Sequence, residues 1–360
     1  MLHQYARGTR TIVTPFVMEI LEAAAGWQPL EALSARLGAD AAALRPLLRA
    51  LVGRGLLESS RRPPHPADLA AATWNGWNPA AGFFHSATRD VRFWPREQAN
   101  AALREKARVE PPPPPVTTRE ARPADVVPLP AADRRSALAR TLSERRTWRR
   151  LGREPITLRT LATLLRLTWG VQAWVEVDGL GTMPLKTSPS GGARHPVEAY
   201  VAIRRVPGVA PGIYHYESST HRLVRLRSGL TKKTLASCVP QQAWMADAPA
   251  MVFMTAVFAR MQWRYPVARA YRTVLAEAGH HAQTFCLLAT ERHLAPFCTM
   301  ALADTVVERL LGIDGLHEAA LYAVGVGTRP PGTKWAPWPG TDRVPRRRDV
   351  DPGRAGSRRR

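Results

Sequence analysis

Apolar residues recur at helical spacing in three short stretches near the start of the chain. Their apolar positions are Phe16, Ile20, Leu21 and Ala24, then Leu30, Leu33 and Leu37, and finally Leu44, Leu47, Leu48 and Leu51. Glycines at positions 26, 38 and 55 separate the stretches, and Asp40 precedes the third one as a helix N-cap. The pattern predicts a module of three short helices over residues 1–60.

This module resembles a winged-helix unit, which could bind DNA, dock a peptide or serve as an inert structural part. DNA binding requires basic and polar residues on the third helix and a positively charged domain. Residues 1–60 contain six Arg and five Asp or Glu residues, a net charge of 6 − 5 = +1. The third helix offers only Arg45 and Arg49, beside a Pro46 that is expected to kink or shorten it. A structural part and a peptide-docking module are therefore both favoured over DNA binding.

Residues 61–135 form an aromatic and proline-rich connecting segment. The run of five prolines at 111–115 cannot continue a helix or donate to a sheet, which predicts an extended spacer. Between the proline-rich pieces lies "WNGWNPAAGFFHSATRDVRFWP", whose aromatic side chains are expected to be buried. We expect this stretch to pack on the large domain that follows.

Residues 136–335 alternate between helical and strand patterns, which predicts an α+β domain. A helical stripe runs from Leu158 to Thr168, and a long helix with apolar residues over most of its circumference begins near Arg269. Strands are predicted over 197–203, on both sides of a turn at 218–220, over 250–258 and over 321–326. The continuous apolar run at 250–258 is typical of a central strand that is buried on both faces.

Charge and composition narrow the class of protein. The net charge is +22, but residues 343–360 alone carry eight Arg and two Asp, 8 − 2 = +6, so we expect 336–360 to be a basic, disordered tail. No apolar run is long enough to cross a membrane, and the first residues of the sequence lack a charged-then-apolar signal pattern, which favours a cytoplasmic location. Three widely spaced cysteines predict neither a disulfide framework nor a metal site.

Two short motifs carry candidate chemistry. "TSPSGGARHP" at 187–196 places two glycines directly before a strand, where a ligand could approach the backbone closely, although such a turn on its own is more often a plain loop. "SERRTWRR" at 143–150 is rich in guanidinium groups, which bind phosphate oxygens in pairs, or it is a solvated basic helix end.

Six motifs stand together in the order and spacing of a known family. They are "LSERRTWRRL", "GVQ", "TSPSGGARHPVEAYV", "PGIYHYESSTHRLVRL", "RYPVARAYRTVLAEAGHHAQ" and "YAVGVG". Together with "FFHSATRD" at 83–90, they resemble the FMN-dependent nitroreductase family, and within it the SagB-type branch, the azole-forming dehydrogenases of ribosomal peptide biosynthesis. The resemblance implies a nitroreductase-like mixed sheet flanked by helices, in a homodimer with FMN at the subunit interface.

The resemblance also implies which residues contact the cofactor. They are Arg145, Arg146, Thr147, Arg149, Pro189, Ser190, Gly191, Gly192, Glu277, Gly279, Gln283, Gly325 and Arg329. Arginines suit the FMN phosphate, and the bare backbone at 189–192 suits the polar edge of the flat ring. Because Glu277 and Gln283 interrupt an apolar helix, we expect both to be buried beside another group.

The implied reaction is the oxidation of thiazoline or oxazoline rings in a ribosomally made peptide to azoles, with hydride transfer to flavin N5 and reoxidation by oxygen. A base must take the Cα proton, and this branch has a Lys-Tyr pair before the long helix. Here the pair is Arg264 and Tyr265, which departs from the family because Arg stays protonated. Tyr265 is the preferred catalytic residue, with Arg264 beside it, and His280 and His281 are alternatives.

Other functions remain open at this point. The chain could be a different FMN oxidoreductase, either an NAD(P)H-dependent reductase of nitro compounds or quinones or a tailoring oxidase for another substrate. It could also be a non-catalytic binding protein. The expected partners are a precursor peptide, a cyclodehydratase and a second copy of the chain, with neither nucleic acid nor a membrane.

Overall fold

The computed structural model describes residues 1–91, 94–111, 127, 129–131, 133, 135–179, 181–333 and 335. Its N-terminal part is a hairpin followed by the three predicted helices. The bounds are β1 (Leu2–Gln4), β2 (Thr9–Thr11), α1 (Pro15–Ala23), α2 (Leu30–Leu37) and α3 (Ala41–Gly53). The Asp40 carboxylate accepts a hydrogen bond from the Ala43 amide, which confirms the predicted N-cap.

Helix α3 continues through Pro46 to Gly53, so the predicted shortening is wrong. Proline removes one backbone hydrogen bond, but the helix carries Leu44 and Leu51 into a small core shared with Ile20 of α1. Burial of these side chains on both sides of Pro46 holds the second half of the helix in place.

The N-terminal hairpin also contacts the connecting segment. Helices α4 (Pro66–Ala72) and α5 (Asn78–Ala87) lie in that segment. The Gln4 amide donates to the Gly55 carbonyl at 2.7 Å, and Arg7 forms an ion pair with Asp68 of α4. A Cβ atom at Gly82 would lie 2.8 Å from the phenol oxygen of Tyr5. The hairpin therefore links the helical module to α4 and α5.

Part of the aromatic stretch packs on the large domain, as predicted, whereas Phe83, Phe84 and Trp94 are exposed, so the expectation that its aromatic side chains are buried is wrong for these three. Trp74 and Trp77 are buried in the same apolar core as the central sheet. The Trp74 indole donates to the Leu316 carbonyl at 3.1 Å. Helix α6 (Arg96–Val109) follows. Four of the five prolines at 111–115 and the basic tail at 336–360 lie outside the described residues, so their predicted conformations are not tested.

Six strands of the described chain form a central sheet in the order β7-β6-β5-β8-β10-β9. Their bounds are β5 (Val197–Ile203), β6 (Gly212–Glu217), β7 (Arg222–Ser228), β8 (Ala250–Val257), β9 (Ala295–Thr299) and β10 (Glu318–Gly327). Each neighbouring pair among them is antiparallel, so the sheet that the described residues form has no parallel pair and is not the mixed sheet that the resemblance implied. The reason is that β10, the last of these strands along the chain, lies between β8 and β9 and runs antiparallel to both.

Helices cover both faces of the sheet, which confirms the α+β class. Helices α8 (Leu158–Trp169) and α11 (Ala270–Glu291) pack on one face, and α9 (Lys232–Cys238) and α12 (Asp304–Leu311) pack on the other. The predicted helices at 158–168 and from 269, and the strands at 197–203 and 250–258, are confirmed. The predicted strand at 321–326 is longer, and β9 has no counterpart among the predicted elements.

Three further elements frame the site. Helix α7 (Ala137–Glu144) precedes the arginine-rich motif, a second hairpin is formed by β3 (Val171–Val177) and β4 (Gly181–Lys186), and α10 (Phe258–Arg264) follows β8. The hairpin and α10 were not predicted. In the part of the chain that the structure describes, no helix combines the length and the apolar character needed to cross a bilayer.

Candidate active site

The Ser-Gly-Gly turn has a left-handed backbone at three closely spaced residues. The φ angles are 59° at Gly192, 52° at Ala193 and 44° at His195. The Ser190 hydroxyl fixes the turn by accepting a hydrogen bond from the His195 amide at 2.9 Å. Two non-glycine residues in this region are energetically unfavourable, and such conformations concentrate at functional sites.

The glycines of this turn lie against the predicted catalytic pair. A Cβ atom at Gly192 would lie 2.9 Å from the Tyr265 phenol oxygen and 3.2 Å from Arg264 Cγ. A Cβ atom at Gly191 would lie 2.8 Å from Thr273 Cγ2 of α11. The structure therefore brings Gly191, Gly192, Arg264 and Tyr265 together, and it adds Thr273, which the sequence did not indicate. Close packing within the chain is a second reason for glycine here.

Helix α11 presents different residues to the core and to solvent. Glu277 is buried, as predicted, at 1% exposure. Gly279 and Gln283 lie four residues apart on the exposed face of the helix, so the expectation that Gln283 is buried is wrong for this chain. His280 lies on the same face, and its Nδ1 is 3.4 Å from the Pro189 carbonyl oxygen. This open face runs along the turn and leaves room there for a flat ligand or a second chain.

Glu277 points instead into a buried group of histidines. His195 Nδ1 lies 3.9 Å and His281 Nε2 3.7 Å from Glu277 Oε1, and neither carboxylate oxygen has a hydrogen-bond partner among the described residues. The other nitrogen of each ring lies near a backbone carbonyl. His195 Nε2 is 3.1 Å from the Pro184 oxygen, and His281 Nδ1 is 3.0 Å from the Thr168 oxygen. Carbonyls only accept, so those nitrogens carry the hydrogens. Nδ1 of His195 and Nε2 of His281 are the ring nitrogens that face the carboxylate.

Lysine 186, at the end of β4, adds a positive charge near this group. Burial lowers the pKa of the Lys186 ammonium, and its Nζ donates to the Ser218 hydroxyl at 3.2 Å. Burial, followed by the charge of Lys186, lowers the pKa of His195 to about 4. His195 is therefore neutral at pH 7, and its Nε2–H anchors the turn on the Pro184 carbonyl. His281, buried against Thr168, is placed as a structural residue and not as an accessible base.

We expect Glu277→Gln to keep or raise the stability of the flavin-free protein at pH 7, by up to about 1 kcal/mol. The amide group of glutamine can donate a hydrogen bond to His195 Nδ1, which has no hydrogen-bond partner among the described residues. Chemical denaturation of both proteins would measure this difference. Glu277→Leu is the matched control, which leaves both ring nitrogens unpaired and should be less stable than Glu277→Gln. A Gln variant that is less stable than the Leu variant would contradict this hydrogen bond.

The arginine-rich motif is held by a buried tryptophan. Trp148 donates its backbone amide to the Pro296 carbonyl at 2.9 Å, and the Arg329 guanidinium lies over its ring at 5.0 Å. Arg329 Nε also donates to the Leu294 carbonyl at 3.0 Å. Trp148 thus brings the end of β10 to the segment that contains Arg145, Arg146 and Arg149. The convergence of Arg329 with this motif is the one that the resemblance implied.

The arginines of the motif differ in exposure. Arg145 and Arg149 are half-buried, whereas Arg146 is exposed with its guanidinium 5.5 Å from the centre of the Trp335 ring. The Trp335 indole donates to the Thr147 carbonyl at 3.0 Å. Gly325 lies in β10 with the Phe297 ring packed where a Cβ would stand, so its position is explained by packing. Its contact with a cofactor stays a prediction.

The two groups of residues fit an FMN. Four arginines near one another form a donor set suited to a phosphate dianion. The backbone of the Gly191–Gly192 turn lies beside the exposed face of α11, where the position of a Cβ at Gly279 is open. Arginines would hold the phosphate, and the turn would face the ring. In the described residues, no group of His, Cys, Asp and Glu side chains is arranged to hold a metal ion.

The sequence model of the Nitroreductase family matches residues 142–328, which span both groups, so the chain belongs to the nitroreductase family. Among curated proteins, the nitroreductase-family protein MJ1384 of Methanocaldococcus jannaschii is 34% identical over 188 residues, which are 52% of this chain and 89% of that protein. The trifolitoxin-processing protein TfxB of Rhizobium leguminosarum bv. trifolii is 29% identical over 173 residues, which are 47% of this chain and 46% of TfxB.

Solved structures resemble the same region more distantly. A nitroreductase-like protein of Anabaena variabilis has 26% identity and a TM-score of 0.43, with 62% of this chain and 45% of that chain covered. The Escherichia coli microcin synthetase McbBCD complex with truncated pro-MccB17 bound has 17% identity and a TM-score of 0.45, with 73% and 92% covered. At these scores the superpositions add nothing to the family assignment.

Proposed function

We propose that this nitroreductase-family oxidoreductase binds FMN and oxidises azoline rings of a ribosomally made peptide to azoles, as a SagB-type dehydrogenase. The observation that carries the proposal is the packing of Gly192 against both Arg264 and Tyr265, beside the open face of α11. The similarity to TfxB, a trifolitoxin-processing protein, supports a peptide as the substrate class. When bound, FMN would supply the acceptor for two electrons.

The chain's own residues would handle the substrate and its proton. Tyr265 places a phenol oxygen next to the turn, where it can take or relay the Cα proton of an azoline. Arg264 cannot act as a base, but its positive charge can stabilise negative charge that develops on the substrate. Trp77 fixes the position of this pair, because its indole donates to the Tyr265 carbonyl at 3.0 Å.

The second candidate is another FMN oxidoreductase, either an NAD(P)H-dependent reductase of nitro compounds or quinones or a tailoring oxidase of a different substrate. Arg264 in place of the lysine of the SagB-type branch favours this candidate, as does the similarity to MJ1384. The two candidates share the flavin site and differ only in what reaches it. They can therefore be separated by the reductant that bleaches the flavin.

The test uses purified, FMN-loaded protein in the absence of oxygen. For the proposed function, an azoline-containing peptide bleaches the flavin and loses the mass of two hydrogens, whereas NADPH alone does not bleach it. Bleaching by NADPH with no change of the peptide would overturn the proposal in favour of a reductase. Tyr265→Phe should retain FMN and slow peptide oxidation by about 100-fold or more, because proton transfer loses its group.

We include a peptide-docking role for the N-terminal module in the proposal. Tethering a leader segment there would raise the effective concentration of the reacting rings to the millimolar range. In the same assay, a variant without residues 1–60 should keep FMN and should lose turnover of a full precursor peptide more than turnover of a short azoline peptide. Because Tyr5 and Arg7 contact α5 and α4, the thermal stability of the truncated variant must be measured in the same experiment. Equal losses for both peptides would contradict docking.

A further inference from the structure

The candidate site has a strongly positive rim. Residues 258–276, which contain α10 and the start of α11, include four arginines and no Asp or Glu, and the turn adds Arg194. One of the four, Arg260, already has partners within the chain, because it forms an ion pair with Glu198 and donates a hydrogen bond to the His195 carbonyl at 3.0 Å.

Arg194 and Arg264 converge on Gly192 from two sides. Arg194 Nε donates to the Gly192 carbonyl at 2.9 Å, and its guanidinium lies 5.1 Å from the centre of the Trp263 ring. Arg264 Cγ lies 3.2 Å from the position of a Gly192 Cβ, and its guanidinium lies 5.5 Å from the centre of the Tyr265 ring. Each guanidinium thus lies over an aromatic ring, and both side chains pass next to the same glycine.

Neither guanidinium has an acidic partner in the described part of the chain. Of the carboxylates near the turn, Glu277 is buried between two histidines, and Glu198 binds Arg260 and His215. A guanidinium held on an aromatic ring keeps free N–H groups in a fixed plane, and this arrangement suits a carboxylate. Trp263 is 65% exposed, so the pair is open to a ligand from solvent.

We propose that Arg194 and Arg264 form a clamp for a carboxylate of the substrate peptide, next to Gly192. This inference rests on the proposed function. It narrows the substrate class to peptides that carry a negative charge close to the reacting ring. It also provides a reason for arginine at position 264. Arginine loses the ability to act as a base but gains a planar pair of donors for a carboxylate.

The clamp can be tested by binding alone. The FMN-loaded protein is titrated into octapeptides that carry an uncharged fluorophore, and fluorescence anisotropy gives the dissociation constant. One peptide has an Asp side chain and a C-terminal amide, a second has no acidic side chain and a free C-terminal carboxylate, and a third has Asn and the amide. We expect at least one of the two acidic peptides to bind about tenfold more tightly than the neutral one.

Variants of the two arginines test whether the clamp causes the preference for acidic peptides. Arg194→Met and Arg264→Met should each remove most of the preference, whereas Arg264→Lys should keep part of it because the charge remains without the planar fork. Arg225→Met, on the exposed edge strand β7, is the control for net charge and should keep the full preference. Whichever acidic peptide binds more tightly identifies a side-chain or a C-terminal carboxylate as the ligand.

Equal binding of all three peptides would overturn the clamp, and so would a preference that survives the Arg194→Met/Arg264→Met double variant. These outcomes are distinct from failure of the proposed function. Oxidation of an azoline peptide without any acidic preference would refute the clamp alone. An acidic preference without oxidation would refute the azoline reaction and leave the binding site in place.

Discussion

Replacing Arg146 and Arg149 together by alanine is expected to weaken FMN binding by at least about 100-fold. Each charge-assisted hydrogen bond to a phosphate contributes about 1.5–3 kcal/mol, and two such bonds correspond to a factor of a hundred or more. The structure supports a preformed donor set, because Arg146 Nη1 donates to the carbonyls of Ser143 and Arg145 and its guanidinium lies over Trp335. Less side-chain freedom is then lost on binding.

The affinity would be measured by titrating FMN into the flavin-free protein and following the quenching of flavin fluorescence. Arg150→Ala is the matched control, since Arg150 is an exposed neighbour in the same motif without an assigned contact. It should bind FMN within about threefold of the unchanged protein, a difference of well under 1 kcal/mol. Unchanged affinity in the double variant would refute the phosphate assignment of this motif.

The second large effect is expected at Trp77, where Trp77→Ala should lower the free energy of unfolding by about 4 kcal/mol. The side chain is completely buried, and its ring centre lies 5.6 Å from that of Trp74 and 5.9 Å from that of Phe258. Its removal leaves a large cavity between the connecting segment and α10. It also leaves the Tyr265 carbonyl without its donor, so turnover should fall together with stability.

Trp77→Phe separates packing from the hydrogen bond. Phenylalanine keeps most of the apolar area but cannot donate to Tyr265, so we expect a loss of about 1–2 kcal/mol and a displaced catalytic residue. Trp94→Ala, at a tryptophan of the same segment that is 62% exposed, is the control and should change stability by less than about 0.5 kcal/mol. Urea denaturation followed by circular dichroism measures all three variants. Similar losses at Trp77 and Trp94 would contradict the packing of this segment on the domain.

The hydrogen bond from Trp77 to Tyr265 shows that the connecting segment is more than a spacer. Its composition predicted a spacer with an aromatic stretch that packs somewhere on the large domain. The structure shows that this stretch reaches the predicted catalytic residue itself. Because Tyr5 and Arg7 in turn contact α5 and α4, the N-terminal hairpin is joined to the candidate site through this segment. A peptide docked on the N-terminal module would therefore lie on a unit that the connecting segment joins to the candidate site.

Local patterns predicted the elements that have strong periodicity. The three N-terminal helices, α8, α11 and the strands β5, β6, β7, β8 and β10 each contain enough apolar residues at one spacing to identify them. Hairpin β3–β4 was missed because its side chains are mostly exposed, with Trp174 at 55% and Leu185 at 45%, so no buried face shapes its sequence. Strand β9 was missed because five residues are too few to show a period.

The family motifs located the candidate site, but not the role of each position. Glu277, Gly279 and Gln283 belong to one motif, yet the helix turns Glu277 into the core and the other two toward solvent. A spacing of two residues rotates a side chain by about 200° around a helix, whereas a spacing of four returns it to nearly the same face. Since α11 is apolar over much of its surface, its sequence alone could not say which of these polar residues is buried.

The sequence by itself determined the family, the α+β class and the residue types at the two halves of the site, because these depend on local spacing and on side-chain chemistry. Only the tertiary structure placed β10 between β8 and β9, Glu277 between His195 and His281, and Arg329 on Trp148. These pairings join residues that lie far apart along the chain, with no local pattern that links them. They arise from the way in which helices and strands fill one common core, and that is settled only when the whole chain is packed.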